Sequence, residues 1–255
     1  MNALLTGIRL QLRIFRRNTG ELHILATIPF FTAIFLSSIR QTGRTDLEPY
    51  AVVAPCLMGI WLVSLNLGGS VIDSERSGGT LELLLAAPAS FLRVLTGRVA
   101  AVSGLLAVTF AESWLTARVF FDAHVPLAHP GPLLAILLVT SLATLGVATV
   151  LAAVFVAAGS APQYTNALGY PFYVLSGVLI PVSQLPAWIQ PVSKVVFLTW
   201  AADLLRDALA PAPVADFGYR IGALLLLGFV FYAAGSALVA RMVLNLKQKG
   251  AVTLS

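Results

Sequence analysis

The chain has 255 residues, of which 58% are hydrophobic and 11% charged, and its net charge is +5. So little charged surface would not keep a soluble domain in solution, which predicts an integral membrane protein with about six spanning helices. The single cysteine, Cys56, lies in a hydrophobic run, which excludes disulfides and cysteine-ligated metal sites. His23, His124 and His129 lack metal-ligand spacing, so no metal site is expected. Membrane topology, rather than nucleic acid binding, explains the basic excess.

Residues 1–18 have the pattern of an amphipathic helix. Its apolar face consists of Leu4, Ile8, Leu12 and Phe15, and its basic face of Arg9, Arg13 and Arg16. Such a helix is expected to lie in the membrane plane, against the lipids of an anionic leaflet. The alternative is a signal peptide, but the next apolar run is too long and lacks an Ala-x-Ala-like cleavage site.

Six apolar runs follow, each near or above the length needed to cross a membrane. They cover residues 22–39, 50–72, 98–120, 132–158, 164–182 and 219–241. With the N-terminus inside, more of the 16 Lys and Arg residues lie on the inner side than on the outer side. This bias predicts a multi-pass protein of the bacterial cytoplasmic (inner) membrane with both termini in the cytoplasm.

The segment 183–218, between the fifth and sixth runs, is apolar but repeatedly interrupted by proline. It is too irregular to cross a membrane as one helix. Irregular backbone is tolerated at membrane depth only where protein covers it. We therefore predict one or two short re-entrant or interfacial helices, packed against the outer mouth of the bundle.

A charged, glycine-broken segment, residues 73–97, separates the second and third runs. It begins Asp73-Ser-Glu-Arg-Ser-Gly-Gly-Thr-Leu-Glu-Leu-Leu-Leu-Ala-Ala-Pro88. Thr80 suits the N-cap of a new helix, and Glu82 then falls near the positive end of the helix dipole. We predict a short helix at the cytoplasmic surface, with a charged end that a soluble partner can bind.

This segment resembles the coupling segment of the ABC-2 family of ATP-binding-cassette permeases. In that family, a Glu-rich run followed by Gly-Thr-Leu-Glu-x-Leu and a proline joins the second and third helices. The matching residues here are Glu75, Gly79, Thr80, Leu81, Glu82, Leu84 and Pro88. Residues 170–181, 185–189 and 198–206 are similar to the family's fifth helix and outer re-entrant hairpin. One departure is Phe197, where the family usually has a proline.

The resemblance implies an all-α, six-helix membrane fold of the ABC-2 (type V exporter-like) kind, forming a single domain over residues 1–255. Such permeases work as dimers, so a second, identical copy of the chain is the expected partner. Each permease docks to an ABC ATPase subunit, two copies per transporter. This chain has no G-x-x-x-x-G-K-[ST] loop. It is therefore expected to bind no cofactor and to catalyse no reaction, while the ATPase binds ATP and Mg²⁺.

The cargo that the resemblance implies is hydrophobic or amphipathic. The Gly-Thr-Leu-Glu form of the coupling segment resembles antibiotic exporters more than polysaccharide exporters, which favours a drug-like molecule. Export of a lipid-linked glycan or a lipid is the alternative.

Three sets of candidate site residues follow. The ATPase-coupling set is Asp73, Glu75, Arg76, Gly79, Thr80, Leu81 and Glu82. The substrate-path set is Asn66, Tyr164, Asn166, Tyr173 and Ser176, whose side chains are equally suited to hydrogen bonds between helices. The outer-gate set is Trp188, Trp200, Asp203 and Arg206.

Glu112 is a separate candidate, because a carboxylate in a spanning helix is costly unless it is paired or faces water. We favour a structural pair with an arginine on a neighbouring helix or near the outer interface.

Two other classes of protein are alternatives. Asp203 and Asp207, one helical turn apart, suggest the Mg²⁺-diphosphate site of a membrane prenyltransferase. Only one such pair exists, however, and Arg206 lies between its members. The remaining class is a non-transporting scaffold, which would have no ATPase subunit.

Overall fold

The protein is helical throughout the part that the computed structural model describes, which is residues 3–17, 23–77, 91–158 and 169–248. The helices in chain order are α1 (Ala3–Arg17), α2 (His23–Gln41), α3 (Glu48–Ser77), α4 (Phe91–Ser103), α5 (Leu105–Phe121), α6 (Pro130–Ala158), α7 (Gln190–Ser193), α8 (Phe197–Leu209) and α9 (Phe217–Gln248). Residues 169–175 are also helical. Short 3-10 turns cover Thr45–Leu47 and Val182–Gln184.

Three helical stretches in this described part are long and apolar enough to cross a membrane. They are Thr96–Phe121, Pro130–Val154 and Phe217–Arg241, and Leu25–Gln41 forms a shorter apolar helix. The predicted all-α membrane fold is therefore confirmed. The count of six crossings stays a prediction.

Two of the predicted apolar runs are divided differently in the structure. The third run is split between α4 and α5, with Gly104 between them. The fifth run was predicted to be helical to residue 182, which is wrong, because the helix ends at residue 175. The cause is Gly177, which adopts a left-handed φ of 69° and turns the chain sharply. A Cβ atom there would lie 2.6 Å from the Val182 side chain, so only glycine fits.

Helix α3 is the central element and contacts α2, α4, α5, α6 and α8. Its first half is buried almost continuously, and Trp61 in this half stacks on Phe172 with ring centroids 4.6 Å apart. Hydroxyl groups join it to its neighbours: Ser113 on α5 donates to the carbonyl of Val52, and Thr32 on α2 shares a 2.8 Å hydrogen bond with Ser113. Such bonds hold helices together where apolar packing alone gives little specificity.

Helices α6 and α9 pack with their backbones in contact. A Cβ at Gly146 would overlap the carbonyl oxygen of Gly228, and one at Gly235 would lie 2.6 Å from the Val150 nitrogen. Small residues allow this close approach of membrane helices.

The proline-broken segment 183–218 contains two short helices, the four-residue α7 and the 13-residue α8. Helix α8 packs against α3, α6 and α9, and most of its side chains are buried. Its amphipathic sequence thus gives a helix largely covered by protein. The re-entry of this segment into the membrane stays a prediction.

Candidate functional site

The first candidate surface is the end of α3, where the predicted coupling segment begins. Asp73, Glu75 and Arg76 lie in the last turns of this helix, which ends at Ser77. Thirty residues of helix extend about 45 Å, whereas the hydrocarbon core of a bilayer is about 30 Å thick. The predicted crossing by α3 would therefore leave a turn or more of this helix outside the membrane. The other coupling candidates, Gly79, Thr80, Leu81 and Glu82, lie outside the described residues.

Beyond the coupling candidates, α4 begins at Phe91 and packs along α1. The two backbones touch through glycines: a Cβ at Gly97 would overlap the carbonyl oxygen of Leu4, and one at Gly7 would overlap that of Val94. At the same contact the Arg98 Nε donates a 3.0 Å hydrogen bond to the Gln11 Oε1, and both side chains are buried. Helix α1 is thereby fixed to the helix in which the coupling segment ends.

This contact shows which side of α1 faces the protein, whereas the predicted contact of its apolar face with lipids stays a prediction. Gly7, Gln11 and Phe15 form the buried stripe, while Leu12 from the predicted apolar face is half exposed. Close backbone packing at Gly7 and the buried Gln11–Arg98 bond decide which side faces the protein. Leu5 and Leu12 then lie between this stripe and the exposed basic face of Arg9, Arg13 and Arg16. An amphipathic surface therefore stays available to lipids.

The second candidate surface is a polar network around Arg206 on α8. The Arg206 guanidinium donates hydrogen bonds to the carbonyl oxygens of Gly177 and Val178 and forms a 3.1 Å ion pair with Asp203. It also stacks on the Tyr50 ring, 4.0 Å from its centroid. One buried cation therefore joins α8, the turn after residue 175 and the start of α3.

The electrostatics of this network follow from its burial. Burial raises the pKa of the Asp203 carboxyl, although the charges of Arg206 and Arg220 oppose that rise. Burial likewise lowers the pKa of Arg206. Next to it, Arg220 on α9 pairs with Asp207 and also donates to the carbonyl oxygen of Ala215. A pair of arginines thus matches a pair of carboxylates on α8.

The four outer-gate candidates are only partly brought together. Asp203 and Arg206 are bonded to each other. Trp200 instead bonds to the carbonyl of Lys194 at 2.8 Å and meets Tyr219 edge-on. Trp188 is 78% exposed. A shared gating role for these four residues stays a prediction.

The described members of the substrate-path set are buried within the bundle. The Tyr173 hydroxyl donates to the carbonyl of Met58 on α3, and that of Ser176 donates to the carbonyl of Tyr173. The Tyr173 bond matches the alternative in which such side chains join helices, whereas the Ser176 bond is local. Asn66 lies on α3, but its side chain is outside the described residues, as are Tyr164 and Asn166.

Among the described residues, Glu112 on α5 has no arginine partner of the kind that we favoured. It forms no ion pair with any residue that the structure describes, and its Oε2 is buried without a hydrogen-bond partner. Arg118 is six residues further on, on the opposite side of the helix, and cannot reach it. Val108, Leu115 and Val119, on the same face as Glu112, are exposed. The carboxylate thus stands in an apolar exposed stripe and stays a functional candidate.

A sequence model of the family described as ABC-2 type transporter matches residues 4–210, which is most of the chain. The chain belongs to the ABC-2 transporter family. The match includes both candidate surfaces and ends just after α8. It therefore confirms the resemblance that the Gly-Thr-Leu-Glu segment and the outer hairpin pattern carried.

Shorter similarities connect this ABC-2 permease to two curated proteins. It is 32% identical over 87 residues to Nodulation protein J of Rhizobium meliloti (strain 1021), covering 32% of this chain and 33% of that protein. It is 34% identical over 92 residues to Nodulation protein J of Neorhizobium galegae, covering 34% and 35%. The matched part spans about a third of these relatives.

The prenyltransferase alternative receives no support from the geometry. Asp203 and Asp207 each pair with an arginine, so neither carboxylate is free to hold Mg²⁺. Among the residues that the structure describes, no cluster of three or more His, Cys, Asp or Glu side chains could bind a metal ion.

Several functional contacts were missed from sequence. Gln11 was not singled out from the sequence, and Arg98 was counted only among the basic residues of the inner side. Gly97, one residue before Arg98 and matched by Gly7 on α1, was the available signal, because paired glycines favour close helix contact. Tyr50 gave no comparable signal.

Proposed function

We propose that this chain is the permease subunit of an ABC exporter that moves a hydrophobic or amphipathic molecule outward. A separate ATPase subunit binds and hydrolyses the ATP, with Mg²⁺. The observation that carries the proposal is the family match over residues 4–210. A drug- or antibiotic-like cargo, with a role in resistance, is our first choice; a lipid-linked glycan or a lipid is the second. The transporter is a homodimer of permeases with two ATPase subunits, in the bacterial inner membrane, with both permease termini in the cytoplasm.

The charge at the end of α3 supports the docking role. Asp73 and Glu75 lie in its last turns, where the helix dipole is negative and disfavours acids by about 0.3–1 kcal/mol each. Acids in that position gain nothing from the helix. They are explained by a cationic surface on a docking partner.

The α1–α4 contact supports transmission of movement from that surface. Helix α4 begins within the coupling segment, at Phe91, and the contacts of Gly7 with Gly97 and of Gln11 with Arg98 fix α1 to it. A displacement of the coupling segment would therefore move α4 and the membrane-surface helix together, since close-packed backbones do not slide independently.

The docking proposal is tested by reversing charge at Glu75 and Glu82. Glu75→Lys and Glu82→Lys, singly and together, are expected to abolish co-purification with the ATPase subunit and substrate-stimulated ATP hydrolysis. The permease itself should stay folded and inserted. Asp46→Lys is the matched control for co-purification, because it makes the same charge change at the exposed end of the α2–α3 connection. If the double variant still couples ATP hydrolysis normally, the docking assignment is wrong.

Orientation is tested with topology reporters. A reporter fused after Ser255 should be cytoplasmic, and one inserted at Thr45 should be external. The reverse result would reject the orientation.

A further inference from the structure

A cavity of about 500 Å³ opens between the end of α2, the start of α3 and residues 178–184. This volume falls within the range of small-molecule sites. Its polar lining residues include Ser38, Arg44, Ser183 and Gln184. Its walls are apolar, formed in part by Phe35, Ile39 and Leu179. The cavity therefore has both an apolar interior and a hydrogen-bonding rim.

The walls of this cavity are fixed by the network described above. Arg206 holds the carbonyl of Val178, which lines one wall, and stacks on Tyr50, which lines another. The Arg40–Glu48 ion pair, at 3.2 Å, joins the last turn of α2 to the first turn of α3. A cavity held in this way is largely formed before a ligand arrives, which lowers the cost of binding.

The charge of the rim indicates the ligand. Among the described residues that line the cavity, Arg44 alone is charged. Its guanidinium pairs at 3.0 Å with Asp46, but the two side chains are 58% and 63% exposed. Such an exposed pair contributes about 0–1 kcal/mol and is readily exchanged for another anion. The hydroxyls of Ser38 and Ser183 and the amide of Gln184 provide further hydrogen-bonding groups.

We propose that this cavity binds a singly anionic amphiphile. Arg44 and the polar rim hold its head group, and the walls from α2 and residues 178–180 cover its first apolar carbons. The proposal rests on the proposed function for orientation, because the α2–α3 connection must face outward for the cavity to open toward the outer leaflet. Two hydrophobic helices end here, at the level where lipid head groups lie. The occupant is either a lipid of that leaflet or the exported cargo.

The test uses cysteine protection in the purified permease, without ATPase or ATP. The native Cys56 is fully buried, so a maleimide reports on an introduced thiol. Ser38→Cys lies in the cavity; Ser37→Cys, next to it and exposed but outside the lining, is the matched control. The probe is lysophosphatidylglycerol, and zwitterionic lysophosphatidylcholine is the comparison. At ten times its Kd, the anionic probe should slow labelling at position 38 about tenfold by mass action, and leave position 37 unchanged.

A second variant tests the charge. Arg44→Gln, made in the Ser38→Cys background, should require about ten times more lysophosphatidylglycerol for the same protection, because a charge-assisted hydrogen bond is lost. The proposal is overturned if positions 37 and 38 are protected equally, if both lysolipids protect equally, or if Arg44→Gln changes nothing. None of these results would bear on ATPase docking, and the Glu75 and Glu82 variants do not bear on the cavity.

Nanodiscs then distinguish the two sources. Protection of position 38 in phosphatidylglycerol discs, but not in phosphatidylcholine discs, identifies a membrane lipid as the occupant. Protection by added lysophosphatidylglycerol alone, with neither disc protecting, identifies an amphiphile that arrives as cargo. Either result supports the anionic-amphiphile site.

Discussion

Replacing Arg206 with methionine should destabilise the permease strongly. Methionine keeps the apolar volume but leaves the carbonyls of Gly177 and Val178 without their donor, at about 1–3 kcal/mol each. It also removes the cation–π contact with Tyr50, about 2 kcal/mol where the cation is desolvated. The new methionine packing offsets part of this, so we expect a net loss of about 3–5 kcal/mol, as for other broken buried pairs.

The assay is thermal unfolding of the purified protein in detergent, where this loss corresponds to a Tm about 10 °C lower. Arg44→Met is the matched control. Its ion pair has nearly the same length, 3.0 Å against 3.1 Å, but the arginine side chain is 58% exposed rather than 7%. An exposed pair is worth about 0–1 kcal/mol, so this variant should melt within a few degrees of the wild type. Equal losses in the two variants would refute the view that burial sets the strength of the network.

Two further predictions concern α4 and α8. Gly97→Ala should lower the free energy of unfolding by about 1–3 kcal/mol through overpacking, because its Cβ would overlap the carbonyl of Leu4. The control Gly222→Ala has open space around its Cβ and should be neutral or slightly stabilising. Equal Tm values for the two variants would contradict the α1–α4 contact. Because burial raises the pKa of Asp203 in the folded protein, the folded state gains a proton before the unfolded chain does, so stability rises as pH falls through that raised pKa. Asp203→Asn cannot take up that proton, so relative to the wild type it should lose stability between pH 7 and about pH 4, near the ordinary aspartate pKa, and an equal Tm difference at the two pH values would contradict the raised pKa.

The sequence predicted the elements whose cause is local. Hydrophobic length predicted α6 and α9, because a spanning helix needs about 20 apolar residues wherever it packs. The proline-broken composition of 183–218 likewise predicted short helices there, and α7 and α8 are the result. The family could also be recognised from the sequence, because the resemblance depends on the order of motifs along the chain.

What the sequence did not predict depends on contacts between distant elements. The buried face of α1 is decided by Gly97, 90 residues beyond Gly7, so helical periodicity alone did not indicate which side packs against the protein. The end of the helix at residue 175 is decided by how Gly177 folds against Val182. Glu112 was assigned an arginine on energetic grounds, but only the packed bundle reveals that none is within reach among the described residues.

Helix α3 connects the two candidate surfaces. Its first turn carries Tyr50, which holds Arg206, and its last turns carry Asp73 and Glu75. About 25 residues of continuous helix separate these ends, roughly 37 Å at 1.5 Å per residue. Helix α3 contacts five other helices, and its first half, which is buried almost continuously, is not free to bend independently. If an ATPase displaces the acidic end, the most direct mechanical consequence is therefore a change in how Tyr50 meets Arg206. Loosening that network should also open the cavity proposed to bind an anionic amphiphile, because Tyr50 and Arg206 hold its walls in place.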